Sequence, residues 1–452
     1  MPLDTTTIRE LSAVFREVSG LEEAYLVGGG VRDLLLGKVP EDVDLVVRGK
    51  PEKVAEAMAR KKGLTYFFLD RDRDIVRVVG KGKKGPDSEA IPQRHYDIAP
   101  MEGGSITLNL AQRDFTIDAM AIRIQDDDFT VIDPFGGKED LEAGLVRALS
   151  LSSFGADPLR LLRAFRLAAA LQFRIEDRTL AWIRQAAARV TTVAPERIRD
   201  EFSKILALKE SSIDLDLLRK TGLLSHLVPE DNAGMSLSKR VESVRCLEEI
   251  LMDPGRMAPS HTKELQSYAE ETVAQGIPVK AILKWIVLDY AGKEIVLHPT
   301  HLSNFHLGEA ADRLRLALKT QRLIRKILMG WSWLRGLRHP VSVTDRKREY
   351  YRFYKAAGEG GVGAILIHQA VSEPDQKKGD GFPPAEMISW YFKEFVLFVR
   401  PLVSGEDLIR ILGMSPGPPI GDILQRVEEE RGAGLLQTRE QALQAIREWI
   451  AS

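Results

Sequence analysis

Apolar positions recur along this chain at two spacings, and the balance between them changes near residue 150. Before that point helical and strand patterns alternate. LSAVFREV (11–18) and PEKVAEAMARKKG (51–63) read as helices, the second with Pro51 in its first turn and Gly63 at its end. AYLVGG (24–29), VDLVV (43–47), TYFFLD (65–70), DIVRVVG (74–80), HYDIA (95–99), MAIRI (120–124) and FTVID (129–133) read as strands. Beyond about 151 the strand signals nearly vanish. DPLRLLRAFRLAAAL (157–171), LAWIRQAAARV (180–190) and RIRDEFSKILAL (197–208) carry apolar residues at helical spacing. Gly/Pro breaks fall near 254–259, 357–363 and 379–384, and GEGGVG (358–363) reads as the most linker-like of them. The pattern predicts an α+β fold: an N-terminal domain with a small mixed sheet over 1–150, then an all-helical region. That region divides into 151–210, 211–400 and a tail, 401–452, with the turn MSPGPPIG (414–421) between two helices.

Composition narrows the class. The chain has 452 residues, 44% apolar and 29% charged, enough for two to four domains with real cores. No stretch approaches the roughly 20 apolar residues of a membrane span, so no membrane partner is expected. The N-terminus lacks a charged segment followed by an apolar one, so no signal peptide is expected. Cys246 is the only cysteine, which rules out an intramolecular disulfide and fits a cytoplasmic location. The net charge of −1 means that any basic surface must be local.

The chemistry concentrates in LVGGGVRDLLLGKVPEDVDLVV (26–47). An apolar run ends in three glycines, and a helix-like segment follows. Gly28 and Gly29 let backbone N–H groups approach a phosphate chain without an intervening Cβ. Arg32 lies one short turn beyond. Asp42 and Asp44 stand at i and i+2 of a strand, where side chains share a face. Two carboxylates so placed can hold Mg²⁺ together with substrate phosphates. Asp97, alternating with apolar neighbours in RHYDIAP, is the candidate third carboxylate; a solvated strand-end aspartate is the alternative. Arg113, beside Asp114 in QRDFTIDAMAI (112–122), can neutralise phosphate charge or form a structural ion pair. In ADPLRLLRAFRLAAAL (156–171), Asp157, Arg160, Arg163 and Arg166 recur every three residues on one side of a helix. A solvated charged face is the usual meaning of such a row. One acceptor among three donors, however, can read a base: cytosine and adenine carry an exocyclic amino group that uracil lacks.

Together these segments resemble the class II tRNA nucleotidyltransferase and bacterial poly(A) polymerase family, part of the polymerase-beta-like nucleotidyltransferases. LVGGGVRDLLLG with DVD looks like its first motif and RDFTIDAMA like its RRDFTINAMA motif. DPFGG (133–137) looks like its third, ADPLRLLRAFRLA like its EDxxRxxR helix and PERIRDEFSKIL (195–206) like its fifth. The resemblance implies that Asp42 and Asp44 bind Mg²⁺ and that Gly29, Arg32 and Arg113 hold a triphosphate. It also implies that Asp157, Arg160, Arg163 and Arg166 select the base. Domains 1–150 and 151–210 would then be nucleotidyltransferase head and base-recognition neck. Three positions depart from the pattern: Ala156 replaces the usual Glu, Gln112 the first Arg, and Asp118 the usual Asn. Downstream, LKWIVLDYAGKE (283–294) is similar to the metal-binding segment of HD-type phosphohydrolases, but Asp289 and Tyr290 replace its His-Asp pair. The expectation is a structural helical body without phosphatase activity. Residues 405–427 are similar to the family's C-terminal RNA-associated unit.

RNA contacts are expected over 313–355, which carries 13 Lys/Arg against two acidic residues, with aromatics interleaved. The candidates are Arg322, Arg325, Lys326, Arg346, Lys347, Arg348 and Arg352; Trp331 and Trp333 are expected in the core. KGKKG (81–85) reads as a loop near the active site. The implied reaction is attack of an RNA 3′-hydroxyl on the α-phosphate of CTP or ATP, without a template and with release of pyrophosphate. The implied partners are a tRNA 3′ end and these nucleotides. VVRGKPEKVAEAMA after the second aspartate lacks a LIGRRF-like signature of bacterial poly(A) polymerases, which favours tRNA over poly(A) synthesis. A non-catalytic RNA-binding homologue is the alternative from another class.

Overall fold

A computed structural model describes residues 6–18, 20–80, 94–125, 129–228, 235–292, 314–336, 343–372, 383–395 and 401–451. The chain forms two compact units, Met1–Val193 and Ala194–Ser452.

The first unit begins with α1 (Thr6–Phe15), β1 (Glu23–Val27), α2 (Gly29–Leu35), β2 (Asp42–Arg48) and α3 (Pro51–Lys62). The strands β3 (Thr65–Asp70), β4 (Ile75–Val79) and β5 (His95–Pro100) follow, then α4 (Ile106–Leu110), β6 (Ala121–Arg123) and β7 (Val131–Ile132). These seven strands make one sheet in the order β3-β4-β5-β2-β1-β6-β7. β2 and β5 pair in parallel and the other neighbours are antiparallel. α3 has Pro51 at its first position and ends at Gly63, whose φ of +64° suits a residue without Cβ.

Strand alternation gives the sheet two different faces. Val43, Leu45 and Val47 of β2 and Tyr96 and Ile98 of β5 join residues of α1 and α3 in one buried core. Full burial of each such aliphatic side chain contributes about 1.5–3 kcal/mol. The intervening residues Asp42, Asp44 and Asp97 therefore face the other side. After the sheet come α5 (Gly137–Glu142), β8 (Leu145–Val146), α6 (Leu151–Ala156), α7 (Arg160–Leu171), β9 (Arg174–Ile175) and α8 (Asp177–Ala186), with β8 and β9 forming a separate parallel pair.

The second unit is helical apart from a small hairpin, Thr272–Ala274 with Ile277–Pro278. GEGGVG is not a linker. The helix Gly360–Val371 is buried along most of its length. A Cβ on Gly360 would stand 2.7 Å from the Ile327 nitrogen, and one on Gly363 2.8 Å from Leu283 Cδ2. These glycines permit close backbone approach between helices, a tertiary demand that looks locally like flexibility. The segment resembling an HD site is the buried helix Val279–Tyr290, in which Asp289 and Tyr290 are also buried. Within it the Lys284 ammonium lies 2.7 Å from Glu248, each side chain no more than 2% exposed. The Ser211 N–H and hydroxyl donate to the same Glu248 oxygen at 2.7 and 2.8 Å. Burial pulls Lys284 below the usual lysine range, and Glu248 opposes that shift. KGKKG lies outside the described residues.

Candidate active site

Strand register assembles the acidic centre. Asp44 pairs with Val27 of β1 on one side and with Asp97 of β5 on the other. Asp97 pairs in turn with Arg77 of β4. The Arg77 fork donates to both Asp97 oxygens at 2.7 Å. Parallel pairing of β2 and β5 thus joins carboxylates 53 positions apart in the chain. Arg77 is not among the residues expected from the sequence, although a charged residue inside the apolar strand IVRVV marks it.

The glycine turn lies on the β1 side of Asp44. Gly28 ends β1 with φ +71° and ψ −140° and precedes α2. A Cβ there would stand 2.2 Å from Arg113 Nη1 and 3.3 Å from Asp44 Oδ2. Gly28 is therefore the floor on which the Arg113 guanidinium rests beside Asp44. On the expectation that Arg113 holds a nucleotide triphosphate, Gly28→Ala should lower nucleotide incorporation by roughly two orders of magnitude through displacement of Arg113, with the KM for nucleotide rising. Steady-state kinetics on a folded variant checks this; an unchanged KM would contradict that role for Arg113.

Buried and half-buried carboxylates hold the surrounding arginines. Arg32 donates to Asp118 at 2.6 Å and, through Nε and Nη2, to Asp33 at 3.0 and 2.8 Å. Burial pushes Asp118 above the usual carboxylate range, with Arg32 opposing the shift. Arg163 of α7 lies 3.2 Å from Asp114, so Asp114 is partnered from a helix beyond the sheet. Arg160 donates to the Gln112 carbonyl at 2.7 Å and to that of Ser153 at 3.3 Å. The Gln112 contact uses its backbone, which any residue at 112 supplies. Asp157 ends α6, and its Oδ1 accepts from the Leu159 N–H at 3.2 Å. Ala156 is exposed beside it.

A cleft of about 920 Å³ runs between the sheet face and α7. It is lined by Asp42, Asp44 and Asp97, by Gly29, Arg32 and Arg113, and by Arg160, Arg163 and Arg166. Gly28 and Asp157 are not among the lining residues. Arg77, Arg73, Asp114 and Asp118 also line it, and none was a sequence candidate for the site.

The charge balance fits a cation. Burial raises the Asp44 carboxyl above its usual range; Arg113 opposes this, Asp97 adds to it, Arg163 opposes it, and Asp42 adds to it. Asp97 already has Arg77 as a counter-ion, while Asp42 and Asp44 share one strand face. Among the described residues no three carboxylate, imidazole or thiol groups form a metal cage. The donor set suits an ion held by Asp42 and Asp44, with phosphate oxygens and water supplying its remaining ligands.

The proposed RNA contacts lie in the second unit. Arg322 is exposed, and Lys326 lies 3.3 Å from Glu359. Arg325 has a buried Nε with no hydrogen-bond partner. Lys347 is half-buried. Arg346 pairs with Glu386, Arg348 with Asp345 and Glu430, and Arg352 with Glu349 and Glu429, all at 2.7–3.0 Å. Arg348 and Arg352 thereby join the helix Val343–Ala357 to Pro418–Gly432. Trp331, Tyr350, Tyr351, Phe353 and Tyr354 are buried, and Trp333 is half-buried. No helix of the described residues is long and apolar enough to cross a membrane.

Residues 24–147 match the model of the poly A polymerase head domain, and residues 172–235 match that of the probable RNA and SrmB-binding site of polymerase A. The chain is 30% identical to the CC-adding tRNA nucleotidyltransferase of Geobacter sulfurreducens, over 93% of this chain and 90% of that protein. It is 27% identical to the A-adding tRNA nucleotidyltransferase of Deinococcus radiodurans, over 94% and 95% of the two chains. In fold it is similar to a CCA-adding enzyme solved with ATP, with a TM-score of 0.69 at 23% identity, covering 100% of this chain and 99% of that one. It is also similar to the Thermotoga maritima CCA-adding enzyme complexed with tRNA, with a TM-score of 0.65 at 24% identity over 97% and 95%.

Proposed function

Because this chain belongs to the tRNA nucleotidyltransferase family, we propose that it adds two C residues to the 3′ end of tRNA. It is a template-independent nucleotidyltransferase that extends tRNA with C, A or both from CTP and ATP, releasing pyrophosphate. The restriction to CC rests on the 30% and 28% identical relatives, both CC-adding and both matched over at least 90% of each chain. The observation that carries the chemistry is the placement of Asp42 and Asp44 beside Arg113 and Arg163 in one cleft.

In this reading Gly29, Arg32 and Arg113 draw the triphosphate to the β1 side of Asp44, and Arg163 adds positive charge from α7. Asp157, Arg160, Arg163 and Arg166 present donors and an acceptor to the base, so a protein helix replaces the template. Asp42 and Asp44 would hold Mg²⁺, which when bound lowers the pKa of the attacking hydroxyl and neutralises phosphate charge. The RNA oxygen bonds to the α-phosphorus as the bond to pyrophosphate breaks, roughly in line, and the hydroxyl proton passes to solvent. Residues 1–150 act as the head, 151–210 as the neck, 211–400 as the RNA-binding body and 401–452 as the tail. Arg322, Arg325, Lys326 and Lys347 offer RNA phosphates their positive charge, with Arg346, Arg348 and Arg352 nearby in sequence. A cytoplasmic location fits the single cysteine.

Product sequencing tests the assignment. The protein is incubated with tRNA transcripts ending before CCA, after C and after CC, and with an unstructured RNA, each with CTP, ATP or both. Addition of CC from CTP to the first transcript, with no growth on the third, is expected. Growth of the third transcript with ATP identifies an A-adding or CCA-adding enzyme instead. Long A tracts on the unstructured RNA identify a poly(A) polymerase.

A further inference from the structure

The cleft is lined differently on the two sides of Asp44. Gly28 and Arg113 lie on the β1 side of Asp44, and Arg163 of α7 meets Asp114, the neighbour of Arg113. On the other side the register runs Asp44, Asp97, Arg77, Phe67 across β2, β5, β4 and β3. Directly paired residues share a face, so the Phe67 ring stands on the same face as the aspartates. Three strand spacings of about 4.8 Å place it roughly 14 Å from Asp44. Phe67 is 49% exposed and Leu69, two residues on, 44%. Their neighbours Tyr66 and Phe68 pack against the core on the opposite face. Arg73, in the turn between β3 and β4, lines the cleft at this end and is 75% exposed.

Resting on the nucleotidyl-transfer reading, we propose that Phe67, flanked by Leu69, is a stacking platform for a base of the RNA just upstream of its reacting 3′ terminus. In-line displacement separates the attacking oxygen from the leaving pyrophosphate across phosphorus. With the triphosphate on the β1 side, the RNA terminus enters over β5, β4 and β3. An exposed ring continuous with that path offers a base a π-face regardless of its identity, and Arg73 offers its phosphate a cation. An edge strand carrying exposed apolar residues can also pair with a second copy. The cleft-lining position of its neighbours Arg73 and Arg77 favours RNA.

The test uses a tRNA transcript with 2-aminopurine as the penultimate nucleotide, titrated with the full-length protein in the absence of nucleotide. Incorporation by the unchanged protein is measured separately. Phe67→Ala should weaken RNA binding and remove the fluorescence quench, and should raise the KM for RNA roughly 5- to 100-fold. The KM for nucleotide and the kcat at saturating RNA should stay as they were, and Phe67→Trp should restore the quench. Phe67 is half exposed, so the melting curve should be unaltered. An unchanged quench and RNA KM in Phe67→Ala would overturn the proposal while leaving the enzymatic assignment intact. So would an equal rise in both KM values, or a dimer that Phe67→Ala dissociates without changing RNA binding. No incorporation by the unchanged protein would sink the transfer reading, and this platform with it.

Discussion

Asp42→Ala and Asp44→Ala should each reduce nucleotide incorporation by at least roughly 10³-fold, the loss expected when several kcal/mol of metal-assisted charge stabilisation is removed. The fold should survive both changes. Asp42 is exposed at the start of β2. Burial and two neighbouring carboxylates oppose the charge of Asp44 while Arg113 and Arg163 favour it, so its removal relieves repulsion as well as giving up attraction. Circular dichroism and melting curves should match the unchanged protein, and Asp44→Asn should be as inactive as Asp44→Ala. Retained activity in both alanine variants would refute the assignment of this centre.

Lys284→Met should destabilise the second unit by about 3–5 kcal/mol, because it leaves the Glu248 carboxylate buried without its cation. The Ser211 and Ser212 N–H groups still donate to Glu248, but they supply no full charge. Adding Glu248→Gln to Lys284→Met should recover much of the loss, since a neutral amide oxygen can keep the Ser211 hydrogen bonds without charge. Denaturant melts of the three variants measure both effects. A double variant no more stable than Lys284→Met would show that geometry, not charge, carries the cost. The same stretch that resembles a metal-binding segment thus holds an internal ion pair at the centre of the helical unit.

Much of the active site was legible in the sequence because its parts obey local rules. The strand period placed Asp42 and Asp44 on one face, and alternation in HYDIA singled out Asp97. The turn at Gly28 was visible as a glycine run between an apolar segment and a helix. The roles of the arginines were less legible. Nothing in the spacing tells that Arg32 lies between Asp33 and Asp118, that Asp114 meets Arg163, or that Arg77 holds Asp97, since these partners are up to 86 positions apart. Over 313–355 the basic excess was plain, yet Arg348 and Arg352 have glutamate partners about 80 residues downstream. GEGGVG misled for a related reason: absence of side chains gives a loop its freedom and a helix its close contacts, and only the neighbours distinguish the two.

By itself the sequence determined the class of the fold, the strands and helices around the acidic motif and the family, and it named the candidate residues for metal and phosphate. Those follow from short-range periodicity and from motifs in order along one chain. The tertiary structure decided which charges are balanced and which face the cleft, because ion pairing, burial and the approach of glycine-bearing helices depend on residues far apart in sequence. It also decided that the two sides of Asp44 differ, Gly28 and Arg113 on one and Arg77 with the exposed Phe67 beyond it on the other, since strand order is a property of the assembled sheet.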